Sequence, residues 1–444
     1  MESLFIQRMR GFSLWQPLAT RDFRLLWFGQ AVSLFGDQFY LVALPWLTLA
    51  LTGSGLKLGS VLMVAGGARA VFQLLGGALT DRMSPRVIML ASNLVRALVT
   101  GIITTIILLG VIQLWHLYIL SLVFGVVDAF FYPAYMAVIP RLIEKDRLTA
   151  GNALLRGTNR LMGIVGPAAA GIIISTKGFA TTPSIDSALQ SAALENSSGF
   201  AAAFAIDTLS FMFAGVMVWV MRERKPEQQL EPGPERGNRD SLLSSIKEGF
   251  HYAWRDPLIR ALLLFNVAIE FSFVGPATVG LAVFAKNRFG GGEASSQGGA
   301  VFAAIMAAFG AGMLVGMVVA GSVQLRRRGR LVIGTIFVLG ILLGMLGFAT
   351  HVVIACLIFF FIGLGGGLSN IIVLAWLQAR TDSRMLGRVM SLIMFWVSII
   401  EPLSYALFGA LADINVSIMF GVSGVILLVT SLLSLRSYSL RTSD

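Results

Sequence analysis

Apolar runs of about bilayer-crossing length recur along the chain, separated by short polar and charged turns. Twelve fall at about 25–51, 57–80, 87–111, 116–139, 150–175, 200–221, 259–285, 299–323, 331–349, 352–378, 389–411 and 416–435. A helix needs about 20 apolar residues to span the hydrocarbon. Backbone groups find no partner in lipid, so runs this long and uniformly apolar predict helices and not barrel strands. The expected fold is all-α and polytopic, with twelve transmembrane helices in two pseudo-symmetric six-helix bundles. The bundles are expected at 1–221 and 259–444, joined by a charged, Pro/Gly-rich linker at 222–258. Its second part, SLLSSIKEGFHYAW, puts Leu242, Leu243, Ile246 and Phe250 on one helical face, which predicts an amphipathic helix on the membrane surface.

The basic residues alternate with the runs. With the N-terminus inside, the inner segments hold Arg8, Arg10, Arg21, Arg24, Arg82, Arg86, Arg141, Lys145, Arg147, Arg326, Arg327, Arg328, Arg330, Arg380, Arg384, Arg436, Arg441 and the basic residues of the linker. The outer segments hold Lys57, Lys177, Lys286 and Arg288. This asymmetry predicts a multi-pass plasma-membrane protein with both termini cytoplasmic.

The halves echo one another at an offset of about 233–244 residues. Asp22 and Asp37 in span 1 correspond to Asp256 and Glu270 in span 7; Gly151 and Pro167 in span 5 correspond to Gly387 and Pro402 in span 11. Two six-helix repeats of like orientation are the build of a rocking transporter, with its site at their interface near mid-membrane.

Composition narrows the classes. The chain is 56% apolar and 13% charged, with a mean hydropathy of +0.80, against about 45–50% and about 25% in soluble proteins. The net charge of +11 therefore reports orientation and not a nucleic-acid partner. Cys356 is the single cysteine, so an internal disulfide is excluded. No cleavable signal peptide is evident before Pro17. No phosphate-binding GxxxxGK[ST], HExxH or CxxC is present, so neither metal nor cofactor is expected. Gly421-Val422-Ser423-Gly424 imitates the GxSG of an intramembrane protease, but no histidine lies deep in a span to serve as its base, and no catalytic residues are assigned.

Ionisable residues inside the runs carry the chemistry. Each costs about 2.5–3.5 kcal/mol at a helix centre on insertion scales and faces a cavity or a partner. Asp37, Arg69, Asp128, Glu270 and Glu401 fall near mid-span, while Arg96 and Asp207 fall nearer the ends. Asp207 is expected to be solvated, and Arg96 to reach the inner headgroups. A carboxyl in low-dielectric surroundings favours its protonated form and gives the proton up when water or a cation arrives. Asp37, Glu270, Glu401, Asp128, Arg96 and Arg69 are therefore the candidates for proton coupling or substrate binding. The competing reading is structural pairing, such as Asp128 with Arg69 or Arg96. Phe39, Tyr40, Trp46, Phe130, Phe131, Tyr132, Tyr135, Phe271, Phe273 and Trp396 lie near these acids in sequence, and as a group they suit walls for an amphiphilic substrate.

Gly77-Ala-Leu-Thr-Asp81-Arg82-Met-Ser-Pro-Arg86 at the inner end of span 2 resembles the loop 2–3 signature of the major facilitator superfamily. The resemblance implies that Gly77 permits close helix contact and that Asp81, Arg82 and Arg86 latch an inner gate. Ser84 stands where a glycine is usual, and the second-half copy has Leu325 in place of the aspartate. Gly163-Ile-Val-Gly166-Pro167-Ala-Ala-Ala-Gly171 in span 5 is similar to the signature of the family's drug/proton antiporters. Ile139-Pro140-Arg141 before Gly151-Asn152, and Gly387-Arg388-Val389 before Pro402 and Gly409, resemble the branch containing macrolide and siderophore exporters. The resemblance implies a major facilitator fold and a proton-driven exporter of hydrophobic or amphiphilic small molecules that works as a monomer. Its partners would be the substrate, protons and the lipid bilayer, with no nucleic acid. Nutrient uptake or lipid flipping on the same fold is the nearest alternative; a membrane-embedded enzyme or a non-transporting receptor is the more distant one.

Overall fold

The computed structural model describes residues 14–80, 83–177, 197–222, 250–252, 254–291, 296–322, 328–381 and 383–436. Long helices fill them: α1 Arg21–Thr52, α2 Gly55–Thr80, α3 Pro85–Leu108, α4 Leu114–Leu142, α5 Leu148–Lys177, α6 Ser197–Val220, α7 from Pro257–Gly275 through a π-helical turn at Pro276–Gly280 to Leu281–Phe289, α8 Ser296–Ser322, α9 Arg328–Leu346, α10 Val352–Arg380, α11 Ser383–Ile414 and α12 Val416–Arg436. Eleven of these helices are long and apolar enough to cross a membrane. The remaining one, α5, has 30 residues, about 45 Å of helix. Arg156, Arg160, Asn152 and Asn159 lower its hydropathy. The part of the proposed surface helix at 241–249 lies outside the described residues; at its end Phe250 stacks on Trp254.

The packing carries the repeat further than the sequence does. In the first half α1 packs on α5 and α6, α2 on α4, and α3 on α4 and α6. Moving every helix on by six gives the second half: α7 on α11 and α12, α8 on α10, and α9 on α10 and α12. The two seams between the halves obey the same rule, since α2 packs on α11 and α5 on α8.

Small residues make the close contacts. A Cβ on Gly312 of α8 would collide with the Phe360 carbonyl of α10, and one on Gly363 of α10 with the Phe309 carbonyl of α8. Backbones touch there because lipid offers no hydrophobic drive between helices and association depends on packing.

The broken backbone of α7 is satisfied from neighbouring helices. Pro276 has no N–H to donate four residues back, which orphans the carbonyl of Ser272. The Ser423 hydroxyl of α12 donates to that carbonyl. Beside it, the Ser404 hydroxyl of α11 donates to the Phe271 carbonyl at 2.6 Å and accepts from the Gly275 N–H at 2.8 Å. The serine of the GxSG imitation is therefore a backbone partner. Ser423→Val is expected to leave the Ser272 carbonyl buried and unsatisfied, a cost of about 1–3 kcal/mol. Thermal unfolding of the purified protein checks this as a lowered Tm.

Candidate functional site

The candidate residues lie on six helices, α1, α2, α3, α4, α7 and α11. Arg69 of α2 donates to Glu401 of α11, so the ion pair spans the seam between the halves. Tyr405, one turn along α11, donates its hydroxyl to the other Glu401 oxygen at 2.7 Å. Ser398, one turn the other way, donates to Gln73 Oε1 of α2 at 2.8 Å. Positions 398, 401 and 405 share a helical face, and that face lies against α2.

A second pair sits inside the first half. Arg96 of α3 donates to Asp128 of α4. The guanidinium lies 4.5 Å from the Phe131 ring centroid and 5.4 Å from that of Phe211, so aromatic faces cover it where hydrogen bonds do not. The Arg96 side chain is 6% exposed, while that of Asp128 is 41% exposed. The pair therefore joins a buried cation to an accessible anion.

The two pairs are links of one chain of charges. Asp128 is within electrostatic reach of Arg69. Half-buried Asp37 of α1 is within reach of Arg96 and Asp128, and half-buried Glu270 of α7 is within reach of Glu401. Asp37, Arg96, Asp128, Arg69, Glu401 and Glu270 thus run from one half to the other. The arrangement can pass charge between lobes by exchanging partners, since each guanidinium has more than one carboxylate near it.

Toward the face opposite the chain termini the halves are clasped. Asp413 at the end of α11 accepts from the Ser54 hydroxyl at 2.6 Å and from the Gly55 and Leu56 N–H groups, capping α2 with a carboxylate from the other lobe. Lys286 of α7 donates to the Gly53 carbonyl at 3.1 Å. Gly59 lies against the Tyr405 carbonyl and Gly409 against that of Gly55, leaving no room for a Cβ on either. Gly171 is similarly pressed on Ala303, and Gly166 on Gln38. Gly310 meets the backbone of Gly163, and Pro167 is buried. The span 5 signature is thus a packing surface that includes an inter-lobe seam.

Other expectations change. Arg96 does not reach headgroups; Phe131 and Phe211 enclose it and Asp128 holds it. Asp207 is not solvated but wholly buried. Phe39, Tyr40 and Trp46 belong to the packed core and not to a substrate wall; Tyr40 stacks on Phe124. Arg86 donates to the Val218 carbonyl at 3.0 Å and to that of Trp219, tying α3 to the end of α6 within one lobe. Gly77 lies in α2, while Asp81 and Arg82 lie outside the described residues. The sequence reading missed Gln73, Tyr405, Lys286 and Asp413. A carboxylate at the end of span 11, opposite Ser54-Gly55 at the start of span 2, was the available signal for Asp413.

A groove of about 460 Å³ lies between Leu98, Gly101, Ile102 and Thr105, all on α3. Leu98 and Ile102 are exposed, so it is a surface depression along one helix.

The family model described as Major Facilitator Superfamily matches residues 26–405. The chain is 24% identical to macrolide efflux protein A of Streptococcus pyogenes over 95% of its own length and 97% of the relative's. It is also 24% identical to the enterobactin exporter EntS of Escherichia coli O127:H6, over 83% of this chain and 79% of that one. A bacterial homologue of the human lysosomal transporter Spinster, solved in an inward-facing and occupied conformation, superposes with a TM-score of 0.70 at 13% identity, covering 97% of this chain and 99% of that one.

Arg69→Gln should strand Glu401 at the seam, and because the pair is part-exposed the expected cost is about 1–3 kcal/mol. Adding Glu401→Gln should recover part of the lost Tm. A Tm unchanged by Arg69→Gln would remove the pair from the account.

Proposed function

The chain belongs to the major facilitator superfamily, and we propose that it exports hydrophobic or amphiphilic small molecules of the macrolide or siderophore kind in exchange for protons. It is a multi-pass membrane transporter and not an enzyme. Under the proposal both termini face the cytoplasm, as the Lys/Arg asymmetry requires, and the Asp413–Ser54 clasp closes the outer side. The single observation that carries the reading is the chain of carboxylates and arginines crossing the seam between lobes. The names of the two relatives support the direction and the substrate class.

The mechanism follows from partner exchange. A proton taken from outside neutralises a carboxylate in the chain and frees its arginine to pair elsewhere. An inward proton flow thereby becomes a change in which lobe contacts hold. A cationic or polar substrate group competes for the same carboxylates, so proton and substrate alternate. Each charge moving down a 100 mV potential supplies about 2.3 kcal/mol. Asp37 and Glu270 are the exchange sites in this scheme, with Glu401 and Asp128 partnered by Arg69 and Arg96. Gly77, Asp81 and Arg82 serve the inner gate, and Arg86 holds the lobe behind it rigid.

Everted membrane vesicles test the reading with erythromycin as the probe. An inside-acid gradient should accumulate it, an uncoupler should abolish the accumulation, and Asp37→Asn with Glu270→Gln should lower it at least about tenfold, equivalent to about 1.4 kcal/mol. Accumulation that ignores the gradient would refute antiport, and full activity in the double variant would refute the assignment of these two acids.

A further inference from the structure

Asp207 is a buried acid that the scheme above leaves unused. It lies ten residues into α6, near the middle of the 24-residue helix, and its exposure is 0%. Among the described residues neither of its carboxyl oxygens has a hydrogen-bond partner. Ser210 sits beside it, but the Ser210 hydroxyl donates its one proton to the Asp207 backbone carbonyl at 2.8 Å. A carboxylate anion enclosed this way, with only the Ser210 hydroxyl beside it as a donor, has little compensation for its lost hydration.

The surroundings connect this carboxyl to the charge chain. α6 packs on α1, α3 and α5. From α1, Gly36 faces it so closely that a Cβ there would lie 3.0 Å from Asp207 Oδ1. The next residue is Asp37, which is half-buried and within electrostatic reach of Asp207. Tyr40, also on α1, is within reach too. From α3 comes Arg96, a cation within electrostatic reach, whose Nη2 is committed to Asp128 while its Nε has no partner among the described residues. No ionisable group of α5 is among its electrostatic neighbours. Asp207 is therefore the wholly buried member, and Asp37 the partly exposed member, of a pair of acids within electrostatic reach of each other.

We propose that Asp207 is a proton-binding site, the inner store from which Asp37 is recharged, with Arg96 as the switch between its two states. The proposal rests on the antiport reading for its role in transport, but not for the proton itself. With Arg96 held by Asp128, Asp207 keeps its proton. When Asp128 is neutralised or captured by substrate, Arg96 turns its free donors toward α1 and α6. Asp207 then passes its proton to the Asp37 carboxylate, leaving a carboxylate that Arg96 stabilises. One O–H bond breaks, one forms, and Asp37 releases the same proton to water; when water next protonates Asp37, the proton returns to Asp207 and Arg96 goes back to Asp128.

The infrared difference between the wild type and Asp207→Asn, each as the full chain in liposomes at a pH of about 9, tests this without substrate. The wild type should keep a protonated-carboxyl carbonyl band in alkaline buffer, and Asp207→Asn should lack it. The amide matches the protonated acid in size and charge, so the Tm should be unchanged. In the vesicle assay Asp207→Asn should retain erythromycin counterflow, lose gradient-driven accumulation about tenfold or more, and recover with Asp207→Glu. A band that survives in Asp207→Asn overturns the proposal. So does a wild-type gradient response in that variant, and antiport by the wild type would then still stand. If the wild type itself ignores the gradient, the antiport reading fails and the infrared band alone decides whether Asp207 holds a proton.

Discussion

Charge inside a low-dielectric slab must be paired or wetted, and that constraint organises this molecule. Arg96 is almost fully enclosed, so Asp128 and two phenylalanine faces compensate it. Arg69 and Glu401 pair across the seam, and Tyr405 takes up a remaining Glu401 lone pair. Breaking either pair leaves one member stranded, so the pairs make certain relative positions of the helices costly. Under the proposed antiport, movement of the lobes and movement of protons are linked: a seam held by an ion pair yields when one member is neutralised.

The apolar framework has the complementary property of being able to slide. Glycines at 55, 59 and 409 bring α2 and α11 into backbone contact; between α5 and α8, Gly310 meets the Gly163 carbonyl and Gly171 presses on Ala303. Small residues let the backbones approach closely at these places. What fixes them in the state described is polar and local: the Asp413 cap on α2, the Lys286 bond to Gly53, and the Arg69 pair. Smooth seams with a few strong polar stops suit a two-position machine.

The sequence alone made the spans, their count and the two-fold repeat legible, because hydropathy and helix length are one-dimensional properties. The span 5 glycines and Pro167 were legible as a motif, but not as the packing surface that the structure gives them. Neighbours across helices were not legible, because depth along a span says nothing about which helix faces it. Arg96 shows the difference: its position allowed snorkelling or pairing, and only the placement of α4 decides for Asp128. Asp207 was misjudged through a boundary. A run drawn from residue 200 puts it near the end, whereas α6 begins at Ser197 and carries it to the middle. Phe39, Tyr40 and Trp46 were placed by proximity in sequence to Asp37, but successive helical residues point in different directions, and these three point into the core.

The central claim is that protonation of the charge chain moves the lobes. Spin labels at Lys57→Cys and Ile414→Cys, both exposed and on opposite sides of the clasp, report the separation in a Cys356→Ser background. Pulsed electron-electron resonance on the protein in liposomes should give a distance distribution that shifts between acidic and alkaline buffer. The shift should disappear when Glu401 is replaced by Gln. A distribution that stays the same across pH in the otherwise native chain would contradict the account.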